Sequence, residues 1–435
     1  MKTKWILVLG MWVGTHSTWA QQLSLEEALK MALDNRFELK NQQLQVRIAE
    51  GEEAKLKAKW LPQVNAAADM RWNTQLQTSV FKNAPFANGQ DVKLVLGVPF
   101  NNTLGLSAEQ KVYDASTKYD RLLNKENVQG QKISLERQKV DIKQAVTEAY
   151  FAVLFSQEKM ALAEKSVTRA QAYLESGKTK WEKGTLLKND LDRLQLDLNN
   201  AQTSLNKAKQ DVQLNLEYLK YQIGSKQTTL VLTETLEKVM ASTPELTVDG
   251  TADGRLELQQ EQSALRTNEL NQQKQKSRLA PVVSAYGNYS ALQLNDRFQL
   301  FASGTWFPYN YVGLKLNIPL YDGKQTSLLR NEYALRTQVN RNTIEKLKED
   351  IGYEVKNTTT TLGQEKANVG DTKKTLELAQ QVLELDRLRY EKGTLLLADV
   401  KNSEYSLQNA ETNYLTSVYQ FLVAYVRYKK ALGTL

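Results

Sequence analysis

Glu182-Lys183-Gly184-Thr185-Leu186-Leu187 and Glu391-Lys392-Gly393-Thr394-Leu395-Leu396 are one hexapeptide written twice, 209 residues apart. Each copy lies between two long stretches of helical periodicity. A glycine between helices marks backbone that needs a positive φ, the common C-terminal stop of a helix. Each hexapeptide therefore predicts the bend of a long helical hairpin, and the pair predicts a tandem duplication.

Working outward, the duplication recurs. Arg36, Glu38, Leu39, Pro62 and Val64 align without a gap with Arg255, Glu257, Leu258, Pro281 and Val283, 219 residues later. Ser24-Leu25-Glu26-Glu27 fits a capping box with Ser24 as N-cap, opening a short amphipathic helix to about Asn35. A second helix is predicted from Arg36 to about Lys59. After Pro62 and Pro281 the period changes to two: Val64, Ala66, Ala68, Met70 and Trp72 share one side, as do Val283, Ala285, Gly287 and Tyr289. A second strand precedes each long helix, over 104–112 and 312–320. Gly105, Tyr113 and Asp114 there match Gly313, Tyr321 and Asp322 at an offset of 208. The fall from 219 to 208 leaves eleven extra residues in the first connection, where Val92, Leu94, Leu96 and Val98 alternate as additional strand.

No proline interrupts Asp114 to Gly184 or Asp322 to Gly393. Either stretch, as continuous helix, reaches ~105 Å. In the return helices Leu191, Leu198, Leu205, Val212 and Leu219 keep a seven-residue spacing, repeated as Val400, Leu407, Tyr414, Phe421 and Tyr428. That period predicts left-handed coiled-coil packing along neighbouring helices.

Residues 1–20 have the order of a secretory signal: Lys2 and Lys4, the apolar run from Trp5 to Val13, then Thr18-Trp19-Ala20. Its removal lowers the formal charge from +8 to +6. There is no cysteine, and the one histidine, His16, lies in this segment. Thiol and imidazole catalysis and an N- or S-liganded zinc site are excluded from the mature chain. No enzymatic activity, cofactor or metal site is expected. Basic and acidic residues are interspersed, which gives nucleic-acid binding no footing. No run of about eighteen apolar residues is available for a transmembrane helix. Strands of about ten alternating residues flanked by aromatics fit an outer-membrane barrel. Four strands cannot close one, and open sheet edges are not tolerated in lipid, so several chains must share it.

Leu25-Glu26-Glu27-Ala28-Leu29, Trp60-Leu61-Pro62, Ile318-Pro319-Leu320-Tyr321-Asp322-Gly323 and the two Gly-Thr-Leu turns occur in an order that resembles the TolC-like outer membrane efflux proteins across the mature chain. The resemblance implies a mainly α fold with a small β part: a long α-helical coiled-coil barrel in the periplasm, continuous with a shared transmembrane β-barrel of four strands per protomer in a homotrimer. A periplasmic adaptor, an inner-membrane transporter and the lipid of the outer membrane are the implied partners.

The implied organisation is a signal peptide (1–20), N-terminal helices (21–60), a first barrel hairpin (61–113) and a first helical hairpin (114–222) with its tip at 182–187. A mixed α/β equatorial region (223–254), an upper tunnel helix (255–280) and a second barrel hairpin (281–321) follow. The second helical hairpin (322–429) has its tip at 391–396, before a tail (430–435).

In the family the tip turns touch the adaptor, which assigns Gly184, Thr185, Leu186, Gly393, Thr394 and Leu395 to that contact. The matching gate positions are Asp190, Asp399, Tyr390, Trp181 and Asn402. Both acids are placed in the second turn of the return helix, where threefold repetition would ring an opening with carboxylates. Leu395 stands where members carry arginine and Asn402 where a second gate acid sits. Lys111 stands where the second copy has Pro319. A secreted soluble coiled-coil scaffold is the alternative.

Overall fold

The computed structural model describes residues 21–225, 230–243, 254–302 and 304–435. The leader and Thr228, Thr229, Pro244, Asp249 and Gly250 of the expected equatorial region lie outside them. In chain order the elements are β1 (Gln21–Leu23), α1 (Leu25–Asn35), α2 (Phe37–Ala58), β2 (Gln63–Trp72), β3 (Gln77–Ala84), β4 (Gln90–Leu96) and β5 (Phe100–Asp114). Then come α3 (Ser116–Glu182), α4 (Lys188–Ile223), β6 (Leu230–Leu232), α5 (Leu236–Ala241) and α6 (Leu256–Ser277). The chain continues with β7 (Val282–Asn295), β8 (Trp306–Asn317), α7 (Gln325–Glu391) and α8 (Leu397–Ala431). The two longest helices, α3 and α7, have 67 residues each. The fold is mostly helical with a small strand content, as the sequence predicts.

Two compact units divide the chain. One comprises the described residues of Met1–Asn41, Leu135–Leu256 and Lys348–Leu435. Here β1 and β6 pair in parallel. The capping box forms: the Ser24 amide donates to Glu27 Oε2 at 3.0 Å and the Glu27 amide donates to Ser24 Oγ at 3.3 Å. Around it lies a core of fully buried Leu23, Leu39, Tyr150, Leu219, Ile223 and Leu422. The Tyr150 hydroxyl donates to the Leu23 carbonyl at 3.1 Å, and burial, then Glu234 beside it, pushes its pKa upward. Leu191, Leu205, Val212, Leu219, Val400, Leu407, Phe421 and Tyr428 of the heptad seam are buried. Small Ala208, Ala410, Ser417 and Ala424 are buried on the same two helices.

The other unit comprises Gln42–Ser134 and Glu257–Leu347 and holds a four-stranded antiparallel sheet in the order β2-β5-β7-β8. Because side chains alternate along each strand, its register sorts them onto two faces. One face carries Val64, Ala66, Ala68, Met70 and Trp72 beside Ala108, Leu106, Leu104, Asn102 and Phe100. It continues through Tyr289 and Ala291 to Val312, Leu314 and Leu316. The opposite face carries the charged Asp69, Arg71, Glu109 and Lys315 with Asn65, Thr103, Ser107 and Asn288, alongside Tyr286, Leu292, Leu294, Phe307, Tyr309 and Tyr311. An aromatic group closes one end of the apolar face: Trp72 stacks on Phe100 at 6.3 Å between centroids, and Phe298 meets Phe100 edge-on at 5.7 Å.

Both long helices begin just after a duplicated aspartate. Asp114 accepts from the Ser116 amide at 3.0 Å, and Asp322 accepts from the Thr326 amide at 2.9 Å. Pro319, lacking an N–H, lies just past the end of β8 at Asn317, whereas Lys111 lets β5 continue to Asp114 with a bulge between Lys111 and Tyr113. The eleven-residue excess belongs to a β3–β4 hairpin that carries Val92, Leu94 and Leu96.

Candidate functional site

The two hexapeptides form the same bend, bond for bond around the glycine. Gly184 has φ +73° and Gly393 φ +74°. The Thr185 amide reaches back to the Lys180 carbonyl at 2.8 Å, and the Thr394 amide to the Arg389 carbonyl at 2.9 Å, the Schellman closure of a helix end. Each threonine hydroxyl donates to the same carbonyl, at 2.9 Å and 3.0 Å. Glycine supplies the left-handed turn, and threonine satisfies a carbonyl that the helix leaves open.

The two leucines of each copy separate. Leu186 turns inward against Leu174, Leu191 and Leu194, and Leu395 against Leu383, Val400 and Leu407. Leu187 and Leu396 point outward, 73% and 72% exposed, as the residues just before α4 and α8. Sequence reasoning assigned the inner leucine to the exposed tip and passed over the outer one. The two differ by one position around the bend, which only backbone geometry resolves.

Asp190 and Asp399 lie in the first turn of their helices, at the third position. This corrects the second-turn placement. Three non-helical residues follow each glycine before the helix begins, so counting from the glycine overshoots. At that position a carboxylate is favoured by the helix dipole, and Asp190 lies 3.8 Å from Arg193. No ion pair or hydrogen bond joins Asp190 to Asp399 among the described residues. Asn402 is exposed on α8.

Tyr390 and Trp181, the repeat-related aromatics before the bends, differ in surroundings. The Lys180 ammonium donates to the Tyr390 hydroxyl at 2.6 Å and lies 4.0 Å from its ring centroid, tying the two hairpins together. Trp181 is exposed, with the Lys188 ammonium 5.8 Å from its ring.

Behind the bends lies a cluster the sequence did not announce. Tyr173 packs against the apolar core of both hairpins. Its ring lies 4.2 Å from the Lys401 ammonium, and its hydroxyl accepts from Arg387 at 3.3 Å. Glu404, nearly buried, takes Arg387 at 3.1 Å and Lys401 at 3.2 Å. Lys401 lies 3.7 Å from Asp197, which also accepts from the Tyr405 hydroxyl at 3.1 Å. Burial raises the Tyr173 phenol, and Glu404 adds to it. For Arg387 burial acts downward but is outweighed by the bonds to Tyr173 and Glu404, so the guanidinium is held charged. The available signal was inequality between the copies, since Tyr173 aligns with Val382 and Glu404 with Gln195.

The chain holds two very long helical hairpins in tandem and a four-stranded antiparallel sheet, and it shares this fold with solved outer membrane channels. The model of the outer membrane efflux protein family matches residues 28–225, somewhat under half of the chain. The crystal structures of CusC, which follow conformational changes accompanying folding and transmembrane channel formation, share the fold at TM-score 0.76 and 16% identity, over 94% of this chain and 91% of that one. The Campylobacter jejuni CmeC outer membrane channel does so at 0.73 and 14%, over 94% and 85%. The open state of the Neisseria gonorrhoeae MtrE outer membrane channel does so at 0.73 and 16%, over 94% and 88%. At these identities the likeness establishes the fold. No curated protein matches the chain in sequence.

Proposed function

We propose that the protein is a passive exit duct of the outer membrane, three chains sharing one twelve-stranded barrel and one helical tunnel that narrows at its periplasmic tip. It has no enzymatic activity. It serves a tripartite efflux pump or a type I secretion system, with a periplasmic adaptor docking on the tip turns and an inner-membrane transporter selecting the cargo. The observation that supports this reading most is the sheet: a face without charged side chains over Val64–Trp72 and its partners, backed by one that carries Asp69, Arg71, Glu109, Lys111 and Lys315, on four strands with β2 and β8 as its two edges. Such a sheet suits a wall between lipid and a water-filled lumen only when further chains complete the circle.

The bends suit docking because Gly184, Thr185, Gly393 and Thr394 are exposed while their backbone is fixed by internal hydrogen bonds. Leu187 and Leu396 add an apolar side chain to each contact. Leu186 and Leu395 shape the bend from inside. Asp190 and Asp399, repeated threefold, attract cations at the opening, with Asn402 a turn behind. The Lys180–Tyr390 bond holds the tip closed within each chain, and Trp181 belongs to the same layer. Since Leu395 and Asn402 replace charged groups, few ion pairs are left to break on opening.

Replacing Asp190 and Asp399 with alanine is expected to weaken block of the conductance by trivalent cations while trimers still form; unchanged block removes the gate assignment. Gly184→Pro with Gly393→Pro is expected to abolish adaptor-dependent export while barrels still assemble. Normal export in that double variant would show that the turns are not the docking surface.

A further inference from the structure

On the charged face of the sheet, Glu109 of β5, Tyr286 of β7 and Gly313 of β8 stand in one row across the strands. Ser107, Asn288 and Tyr311 form the next row on one side, and Lys111, Ser284 and Lys315 the next on the other. Gly313 lets the middle of this patch sink: a Cβ there would come within 2.8 Å of Tyr286 Cζ and Oη, so the ring lies down over the strand. Tyr311 meets that ring edge-on, with 6.0 Å between centroids and 70° between planes. The two rings wall a groove of about 610 Å³ that also takes in Asn65, Asn288, Glu109 and Lys315. That volume falls in the range of small-molecule sites, roughly 300–1,000 Å³.

The duplication shows that strand pairing does not require the rings. In the first copy Ala67 faces Gly105 as Tyr286 faces Gly313, and Thr103 and Ser107 hold the positions of Tyr311 and Lys315. The same antiparallel pairing forms there with small residues. Neither Glu109 nor Lys315 has an ion pair or hydrogen bond among the described residues, whereas neighbouring Lys111 is held by Asp114 at 3.0 Å.

Strand spacing and rise put the Glu109 and Lys315 Cα atoms roughly 12 Å apart, with Tyr286 between them. A cation in the groove is repelled by Lys315 and an anion by Glu109, while a molecule carrying both charges satisfies both. We propose that this groove is a transit subsite for small aromatic zwitterions, with Glu109 taking the amine, Lys315 the carboxylate, and the ring packing on Tyr286 and Tyr311. The inference rests on the channel reading, which turns this face to the lumen, and adds a cargo class to it. Three chains give three subsites, since the first copy lacks the rings.

The probe is 4-(aminomethyl)benzoate, whose amine and carboxylate lie at opposite ends of one ring, compared with benzylamine and benzoate, which carry one charge each. In planar bilayers the zwitterion is expected to reduce the open current. The other two are expected to need about tenfold more for the same fractional block, the effect of one missing charged contact. Glu109→Gln, Lys315→Gln and Tyr286→Ala are each expected to raise the half-blocking concentration of the zwitterion by about the same factor, read against each variant's own open current. The exchange Glu109→Lys/Lys315→Glu is expected to restore block, because a dipolar ligand can bind reversed. A general electrostatic effect on the lumen would not be restored in this way. Calorimetric titration of the detergent-solubilised protein with the same compounds reads binding without current. Conducting channels that take all three compounds equally, or whose affinity for the zwitterion the variants leave untouched, overturn the subsite and leave the channel reading intact. Absence of conductance overturns the channel reading, and the calorimetric preference then decides the groove by itself.

Discussion

Replacing Gly184 or Gly393 with alanine isolates the backbone geometry of the bends. No atom lies within 4 Å of an added Cβ at either site, so the substitution introduces no clash. What it adds is the cost of holding an L residue at φ +73° or +74°, about 1–2 kcal/mol. At tenfold per 1.4 kcal/mol, local opening of the bend becomes about 5- to 30-fold more frequent. The Thr185 and Thr394 amides report it, because each is held by one carbonyl across the bend. Their hydrogen exchange, followed in peptides spanning 178–190 and 387–399, is expected to accelerate by that factor for alanine. Asparagine, which visits the left-handed region readily, is expected to have a smaller effect. Unchanged exchange in the alanine variants, or asparagine as damaging as alanine, would refute the closure described for these turns.

Thr185→Val and Thr394→Val each remove one hydroxyl-to-carbonyl bond and are expected to lower bend protection by about 0.5–1.5 kcal/mol, measured by the same exchange. Glu404→Leu strips Arg387 and Lys401 of their shared carboxylate. Since Arg387 is partly exposed, the loss is expected at about 1–3 kcal/mol, read as a lower thermal midpoint that Tyr173→Phe reproduces only in part. Burial alone would raise the Asp114 carboxyl, but bonds from Ser116 and Lys111 outweigh it and hold it below the ordinary value. A depressed folded value contributes stability above the unfolded carboxylate pKa of about 4, and that stability is lost as pH falls through the folded value. The gap in thermal stability between the native chain and Asp114→Asn is expected to be full at pH 7 and to shrink below about pH 4; a gap independent of pH would contradict it.

The duplicated hexapeptide, the heptad leucines and the period-two runs were legible in the sequence because each depends on residues a few positions apart. Alternation in 92–98 marked extra strand, but its partner β3 was not visible: Ser79, Val80, Phe81 and Lys82 have no clean period. The direction of Leu186 against Leu187 turned on one backbone rotation. Asp190 and Asp399 were placed a turn too far because three non-helical residues separate each glycine from the start of the return helix. The Tyr173 cluster was least accessible, since it depends on which helices lie side by side. Its trace in the sequence was divergence between copies, Tyr173 against Val382 and Lys401 against Asp192, at positions where the repeat otherwise holds.

Conductance of the purified protein in planar bilayers tests the central claim most directly. The account predicts that the protein leaves the outer-membrane fraction only in detergent and gives discrete, long-lived conductance steps. Extraction in buffer alone, with no conductance at any protein concentration, would contradict it and leave a soluble coiled-coil scaffold.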